Sequence, residues 1–353
     1  MNTQVLLIIV LGSLFASFLI AALIGKPLIG YLHRMNFGQQ ILSYVPEHAG
    51  KANTPTMGGF MFIISITVTV IAVNLIWVRP LDIQAFTVLA LSLCYGLIGF
   101  IDDSTKIRKK ENAGLTSGQK FALQLVLALI FLTVLHRGGY LLPSFYIPFF
   151  NVSLDLPWLV YVVVAAFILV GCNNAVNLTD GIDGLAAGVT LPVSIFFLAV
   201  GVDSNNLPVI VFSAALAGGL AGFLIFNFNP AKVFMGDTGS LFLGGAVAGL
   251  AFACDMPIVL VLVGLIYVVE TLSDIIQVAY YKKTKKPVLD ENGNPVRDKN
   301  GNIRMEGKRI FKKAPIHHHF QVSGWSEKKI VFVFGGITIL MCILAYIGVM
   351  PRY

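Results

Sequence analysis

The sequence predicts an all-α integral membrane protein of about ten transmembrane helices, with a polar cleft on one face and a small hairpin on the other. Composition is the first reason. The 353 residues are 56% hydrophobic and 12% charged, with a mean hydropathy of +0.81, whereas soluble domains are about a quarter charged. The second is a series of apolar runs near the ~20 residues that cross a bilayer. They lie at roughly 5–30, 57–78, 84–101, 119–136, 157–173, 185–201, 208–226, 239–255, 257–280 and 329–349. The third is charge asymmetry. Of the 25 basic residues, all but Arg79, Arg137 and Arg352 fall in loops on one side.

The first run follows Met1-Asn-Thr-Gln4 with no basic n-region and is long for a signal-peptide core, so it is expected to be a retained span. The runs at 84–101 and 157–173 are short, and glycine and proline inside the runs are compatible with helices in lipid. The basic bias places the motif-bearing loops in the cytoplasm and both termini outside. The net charge of +7 is therefore a topological signal, strengthened by anionic membrane lipids, and not a sign of nucleic-acid binding. Residues 1–353 are expected to form one membrane domain, with a polar cytoplasmic loop at 282–328. On the outer side, aromatic and β-branched stretches around proline and asparagine in 137–156 predict an interfacial hairpin.

In the long inner loop, Asn292-Gly293 and Asn300-Gly301 sit in a near-repeat and predict tight turns. A calcium loop is excluded there, since Asp290-Glu-Asn-Gly-Asn lacks the glycine at position 6 and the acid at position 12. Cys94, Cys172, Cys254 and Cys342 stand singly in or beside spans, which suits small apolar core residues.

The polar motifs fall where apolar runs end, all on the inner side. Asp102-Asp103 follows the third run; adjacent carboxylates at a membrane boundary need a cation or basic group nearby, and a solvated helix end balanced by the following lysines is the plainer alternative. Asn177-Leu-Thr-Asp180-Gly-Ile-Asp183-Gly interleaves acids with glycines that let a backbone approach a ligand. It also reads as a polar helix start, with Thr179 or Asp180 as N-cap and Asp183 in the first turn. Phe234-Met-Gly-Asp237-Thr-Gly-Ser240 suits Mg²⁺ held by few carboxylates plus phosphate oxygens, or else a turn and cap. His317-His-His319 lies in the basic loop; consecutive side chains diverge, so hydrogen bonds to phosphate fit better than a closed zinc site. Glu270 and Asp274, four apart, share a helix face near the inner end of the ninth run. They read either as a proton pathway or as groups shaping the inner cavity.

Taken together, Lys51-Ala-Asn-Thr-Pro-Thr-Met-Gly-Gly59, Asn177-Leu-Thr-Asp-Gly-Ile-Asp183, Pro315-Ile-His-His-His-Phe320 and Gly324-Trp-Ser-Glu-Lys-Lys329 resemble the phospho-N-acetylmuramoyl-pentapeptide transferase family, across nearly the whole chain. This family lies within the polyprenyl-phosphate sugar-1-phosphate transferases. The resemblance implies ten transmembrane helices and a cytoplasmic active-site cleft in the bacterial inner membrane. It also implies a Mg²⁺-dependent reaction in which UDP-MurNAc-pentapeptide and undecaprenyl phosphate give lipid I and UMP. It assigns Asp237 to the metal, and Asp102 and Asp103 to the lipid phosphate or to assisting the metal, with Asp102 as general base the alternative to positioning. Asn174, Asn177, Asp180 and Asp183 match the nucleotide-binding stretch, Phe234 the uracil-stacking aromatic, Lys51, Thr56 and Lys106 the nucleotide and phosphate lining. His317, His318 and His319 would face the sugar-phosphate, and the polyprenyl tail would lie in lipid beside a bent ninth helix. The family's habit implies a homodimer. The segment Asp290–Gly307 is longer and more polar than the family pattern. Two other readings compete: a UDP-GlcNAc:polyprenyl-phosphate transferase, which would differ in the sugar-side loop, and a secondary transporter, which would place its acids near the midplane.

Overall fold

The computed structural model describes residues 2–35, 54–77, 83–109, 114–298 and 301–353. The chain is helical apart from two small β elements. In order it forms α1 (Thr3–Arg34), α2 (Phe60–Trp77), α3 (Ile83–Lys109), α4 (Ser117–Arg137), β1 (Ser144–Ile147), β2 (Val152–Asp155), α5 (Trp158–Thr179), α6 (Leu185–Asp203), α7 (Leu207–Asn227) and α8 (Gly236–Ala253). There follow α9 (Leu260–Val263), α10 (Leu265–Lys283), β3 (Lys286–Pro287), β4 (Met305–Glu306), α11 (Ile316–Val322) and α12 (Glu327–Val349).

Among the described residues, eight helices are long and apolar enough to cross a membrane, and a ninth span is formed by a broken pair. The predicted eighth run is α8, whose glycines and polar first turn dilute its hydropathy. It does not meet lipid: every residue from Thr238 to Ala253 is buried. Peripheral helices do the reverse, α1 exposing Leu7, Phe15 and Leu23 and α12 exposing Phe332, Leu340 and Ile347. Such apolar exteriors are stable only against lipid. The protein is thus a multi-pass membrane protein built around α8.

Small residues let the helices approach. α1 and α7 cross where Gly218 faces the Leu14 carbonyl, and Ser17 Oγ bonds Ser65 Oγ at 3.1 Å between α1 and α2. Without a hydrophobic drive between helices in lipid, close contact and buried hydrogen bonds supply the cohesion. A polar belt ties α3, α4, α5 and α8 at one level. Gln124 Nε2 donates to Asn173 Oδ1 (2.9 Å), Asn173 Nδ2 to the Leu241 carbonyl (2.6 Å), Asn174 Nδ2 to Gln124 Oε1 (2.7 Å), and the Tyr95 hydroxyl to the Gln124 carbonyl (3.0 Å).

Two predicted runs end earlier than their helices. α3 continues to Lys109 and α5 to Thr179, so the motifs expected just beyond the spans lie on extra helical turns. Their polar side chains are satisfied by neighbouring helices. The ninth run, which the resemblance implies to be bent, is broken at Gly264, where Pro257–Val263 and Leu265–Lys283 diverge by 81°. Pro257 opens the first piece and glycine occupies the break, both familiar causes of a sharp kink. The outer hairpin is present, with Ser144 opposite Asp155 and Ile147 opposite Val152. Arg352 fastens it, lying over the Tyr146 ring at 4.8 Å and bonding Asp255 Oδ2 at 3.1 Å.

The packing constraint predicts opposite outcomes for two glycine-to-alanine changes. At Gly99 a Cβ would run into the Asp237 carbonyl, whereas at Gly171 nothing lies within 4 Å. Gly99→Ala is expected to destabilise by about 1–3 kcal/mol through overpacking, while Gly171→Ala should stabilise by roughly 0.5–1 kcal/mol. Thermal unfolding in detergent, read by light scattering and tryptophan emission, checks the sign of each.

Candidate active site

One end of the bundle gathers the last turns of α3, the first turn of α4, the end of α5 and the start of α8. Each is positioned by its own sequence. Thr116 and Gln119 form a capping box at the start of α4, each side chain accepting from the other's backbone N–H at 3.2 and 2.9 Å. This fixes Lys120 in the first turn. Asp103 caps α8 from another helix: its Oδ2 accepts from the Thr238 N–H (2.9 Å) and hydroxyl (2.7 Å), its Oδ1 from the Asp237 N–H (3.2 Å). Helix starts leave N–H groups unpaired and carry partial positive charge, so a carboxylate is favoured there.

Asp102 and Asp237 face each other across two lysines. Asp102 Oδ2 lies 2.7 Å from Lys106 Nζ and 2.9 Å from Lys120 Nζ. Asp237 Oδ2 lies 3.0 and 2.6 Å from the same two. The remaining oxygens are also committed: Asp102 Oδ1 accepts from the Leu115 N–H (2.7 Å), Asp237 Oδ1 from Asn177 Nδ2 (3.0 Å). Asn177 Nδ2 lies 2.7 Å from Ser240 Oγ as well. Asp102 is fully buried and Asp103 nearly so. One oxygen from each of Asp102, Asp103 and Asp237 falls within 4.8 Å of the others. Such a set of hard oxygen donors fits a divalent cation.

The strand-like link between residues 55 and 59 closes one wall. Phe234 N–H donates to the Pro55 carbonyl (2.9 Å) and Gly58 N–H to the Phe234 carbonyl (2.7 Å). Gly236 has φ +70°, and a Cβ there would meet Asp103 Oδ2 and Thr56 Oγ1, so only glycine fits. Phe234 is half-exposed, leaving a ring face available. Lys51 lies outside the described residues.

The other predicted residues divide. Thr179 and Asp180 end α5, and α6 starts from Gly184 (φ +78°), so the expected helix start at Thr179 or Asp180 is corrected. Asp180 sits in the link, where burial, then repulsion from Asp237, Asp103 and Asp183, raises its carboxyl well above the usual range. Asp183 is buried and turned to a neighbouring loop, its Oδ2 accepting from Asn229 Nδ2 (3.1 Å) and the Ala231 N–H (2.9 Å). Asn174 belongs to the polar belt with Gln124.

The histidines lie in the short helix α11, not in a loop, and they diverge as predicted. His317 is buried, and its Nδ1–H donates to Glu270 Oε2 on α10 at 2.9 Å, Glu270 being buried too. Its Nε2 has no partner and is aimed at Gly181, where a Cβ would collide with it. His318 Nδ1 pairs with Gln321 Oε1 (2.7 Å), and His319 Nδ1 accepts from the Lys312 N–H (3.1 Å). His317 is thus aimed at the acid-rich link. Asp274 is half-exposed on α10.

Sequence reasoning gave no site role to Lys120 or Gln124, and left Asn173, Ser240 and Glu327 within the motifs without one. Glu327 Oε2 accepts from Asn229 Nδ2 (2.9 Å) and the Asp183 N–H (3.3 Å). The available signal for Lys120 was the Thr116–Gln119 capping pattern beside it.

The chain matches glycosyl transferase family 4 over residues 85–255. It is 46% identical to the phospho-N-acetylmuramoyl-pentapeptide-transferase of Clostridium perfringens strain SM101, covering 94% of each chain. It is 41% identical to the enzyme of the same name from Clostridium acetobutylicum, over 96% of this chain and 99% of that one. Against the Bacillus pumilus protein of that name, identity is 42% over 95% and 96%.

A pH test follows from Asp180. A carboxyl raised in the folded state favours folding below its unfolded pKa, and that contribution is lost as pH rises through the raised value. With divalent metal chelated, wild-type melting temperature should fall as pH climbs above the ordinary carboxylate range. Asp180→Asn should flatten that fall while leaving the acid limb in place; parallel curves would remove Asp180 as its origin.

Proposed function

The chain belongs to the phospho-N-acetylmuramoyl-pentapeptide-transferase family, and we propose that it transfers phospho-MurNAc-pentapeptide from UDP-MurNAc-pentapeptide to undecaprenyl phosphate. The products are lipid I and UMP. A phosphate oxygen of the lipid attacks the sugar-bearing β-phosphorus, a new P–O bond forms, and the bond from that phosphorus to the oxygen retained by UMP breaks. The single observation that carries this reading at the level of the site is the pair Asp102 and Asp237 bridged by both Lys106 and Lys120.

Both reactants are anions, so charge is the main obstacle, and phosphoryl transfer is catalysed chiefly by positioning and neutralisation. Three carboxylates against two ammonium groups leave the cluster negative, which would repel both substrates. The donor set fits Mg²⁺, with Asp237 and Asp102 as holders; when bound, the ion supplies charge neutralisation on the pyrophosphate. Lys106 and Lys120, beside both carboxylates, would offer their charge to phosphate oxygens. Asp103 acts as a positioning residue, because both its oxygens are spent on the start of α8 that carries Asp237. Asp102 fits positioning better than base catalysis: one oxygen contacts two ammonium groups and the other a backbone N–H.

Phe234 would stack on uracil, with Asn177, Asp180 and Thr56 lining the nucleotide. Asn174 and Asp183 would act indirectly, by holding helix ends. His317 Nε2 would face the sugar-phosphate, held in orientation by Glu270. The site would open to the cytoplasm in the bacterial inner membrane, the side on which the soluble nucleotide is found.

Two measurements test this. UMP release by the purified protein with undecaprenyl phosphate and Mg²⁺ should require the muramoyl substrate and be absent with UDP-GlcNAc. Asp237→Asn should lower kcat on the order of 10³-fold, with Lys120→Met close behind; activity retained in Asp237→Asn would refute the assignment. Glu270→Gln should cost on the order of 10²-fold in kcat with KM little changed. A loss confined to KM would mean that Glu270 shapes the cavity and does not orient His317.

A further inference from the structure

The segment between α10 and α11 folds into a three-armed β star. Its centre is a ring of backbone hydrogen bonds: Val288 N–H to the Arg304 carbonyl (2.9 Å), Arg304 N–H to the Val296 carbonyl (2.8 Å), and Val296 N–H to the Val288 carbonyl (2.8 Å). One arm is the stem, pairing Lys286 with Glu306 and Pro287 with Met305. The second pairs Leu289 with Pro295 and turns at Gly293; the third pairs Arg297 with Ile303 and turns at Gly301. The Asn-Gly turns of the sequence make the two free arms, and Asp290 and Asp298 are spent inside them. Asp290 Oδ1 accepts from the Asn292 and Asn294 N–H groups, Asp298 Oδ1 from the Asn302 N–H.

Strand alternation has a consequence for the surface. The bridge-paired residues Pro287, Leu289, Pro295, Arg297, Ile303 and Met305 all project to one face, opposite to the ring residues Val288, Val296 and Arg304. That face is apolar except for Arg297, and fully on the outside: Leu289 is 57% exposed, Ile303 42% and Met305 41%. Arg297 bends back to donate to the Gly301 carbonyl at 2.7 Å, leaving its neighbours uncovered. At the join of the star to α10 stand Lys282, Lys283, Lys285 and Lys308, all exposed, while Lys286 and Arg304 project with Glu306 to the opposite face; the other acid at its edge is Glu291.

The star is fixed close to the bilayer. α10 exposes Leu272, Ile275, Ile276 and Val278 as a lipid-facing stripe almost to its end, where Lys282 and Lys283 mark the headgroup level. The stem begins within one turn of that point. It is clamped to α10: Lys308 N–H donates to Thr284 Oγ1 (2.8 Å), Gly307 packs on the Tyr281 carbonyl, and Gln277 Oε1 accepts from the Ile310 and Phe311 N–H groups.

We infer that the star is a membrane-surface foot, its Leu289–Ile303–Met305 face seated in the bilayer interface and its lysines on anionic lipid headgroups. The occupant is argued from charge and place. Basic residues within a Debye length of an anionic leaflet are drawn to it, and an apolar face with a basic rim is the pattern of interfacial binding. Tethering at the headgroup level gives the bilayer an effective concentration that a soluble acidic protein does not have. The inference concerns the membrane alone and stands apart from the transferase reading.

The experiment places a nitroxide on the full-length protein, with Cys94, Cys172, Cys254 and Cys342 replaced by alanine. The label goes on Leu289→Cys or Met305→Cys, and on Glu306→Cys at the opposite face. The protein is reconstituted in phosphatidylcholine with or without phosphatidylglycerol. In anionic bilayers the labels at 289 and 305 should be severalfold richer in oxygen collisions than in collisions with a water-soluble nickel chelate, and the label at 306 should show the reverse. The preference should weaken in pure phosphatidylcholine and in Lys282→Gln/Lys283→Gln/Lys285→Gln. Monodisperse elution and an unchanged melting temperature in detergent confirm that each variant is folded. Labels at 289 and 305 as open to nickel as the one at 306 would overturn the inference. Shielding from both reagents would overturn it too, since that is burial against protein.

Discussion

The double bridge from Lys106 and Lys120 to Asp102 and Asp237, with N–O distances between 2.6 and 3.0 Å, is the contact on which the rest of the structure depends. Two carboxylates about 4 Å apart repel by roughly 4 kcal/mol at an effective dielectric of 20. Each lysine lies closer than that to both acids, so the attractions outnumber and outweigh the repulsion. The balance holds only if three helix ends are fixed within a few ångströms. The Gly99 contact brings α3 onto α8, the capping box starts α4 in the right place, and the Asp103 carboxylate holds the first turn of α8. Packing, caps and charge solve one geometric problem.

Further into the bundle, cohesion comes from groups that seem out of place in lipid. Gln124, Asn173, Asn174 and Tyr95 link α3, α4, α5 and α8 below the acids. Buried amides without partners would be expensive, and here each finds one on another helix. The belt forms the floor of the charged mouth. It also explains why α8 can be so rich in glycine: its neighbours approach closely on every side and leave no room for larger side chains.

Much of this was legible in advance for reasons that can be traced to residues. Apolar run length and lysine asymmetry carry the membrane character, and the acid motifs at run ends on one side, together with the family resemblance, carry the meeting of Asp102, Asp103 and Asp237. What was not legible depends on contacts between distant helices. Lys120 looks like one more inner-side lysine until α4 is placed against α3. Asn174 and Asp183 have the chemistry of ligand-binding groups, yet Asn174 bonds Gln124 and Asp183 bonds the Asn229–Ala231 loop. A polar side chain near a site serves substrate or scaffold according to its direction, and direction is a tertiary property. The bend of the ninth span was implied by the resemblance, but its place at Gly264 was not: glycine permits a kink, and the neighbours decide whether it is used.

Direction also explains why the chain needs two adjacent acids. Successive residues on a helix point about 100° apart, so Asp102 and Asp103 cannot address the same partner. Asp102 faces the lysines and Asp103 faces the start of α8. The first holds charge in the mouth, and the second holds the helix that presents Asp237 to it. Glu270 and His317 repeat this logic on the opposite wall, where a buried carboxylate fixes the imidazole through Nδ1 and turns Nε2 toward Gly181. In both places one acid is used on structure so that a neighbouring group can meet the ligand in a single orientation, as a reaction governed by positioning requires.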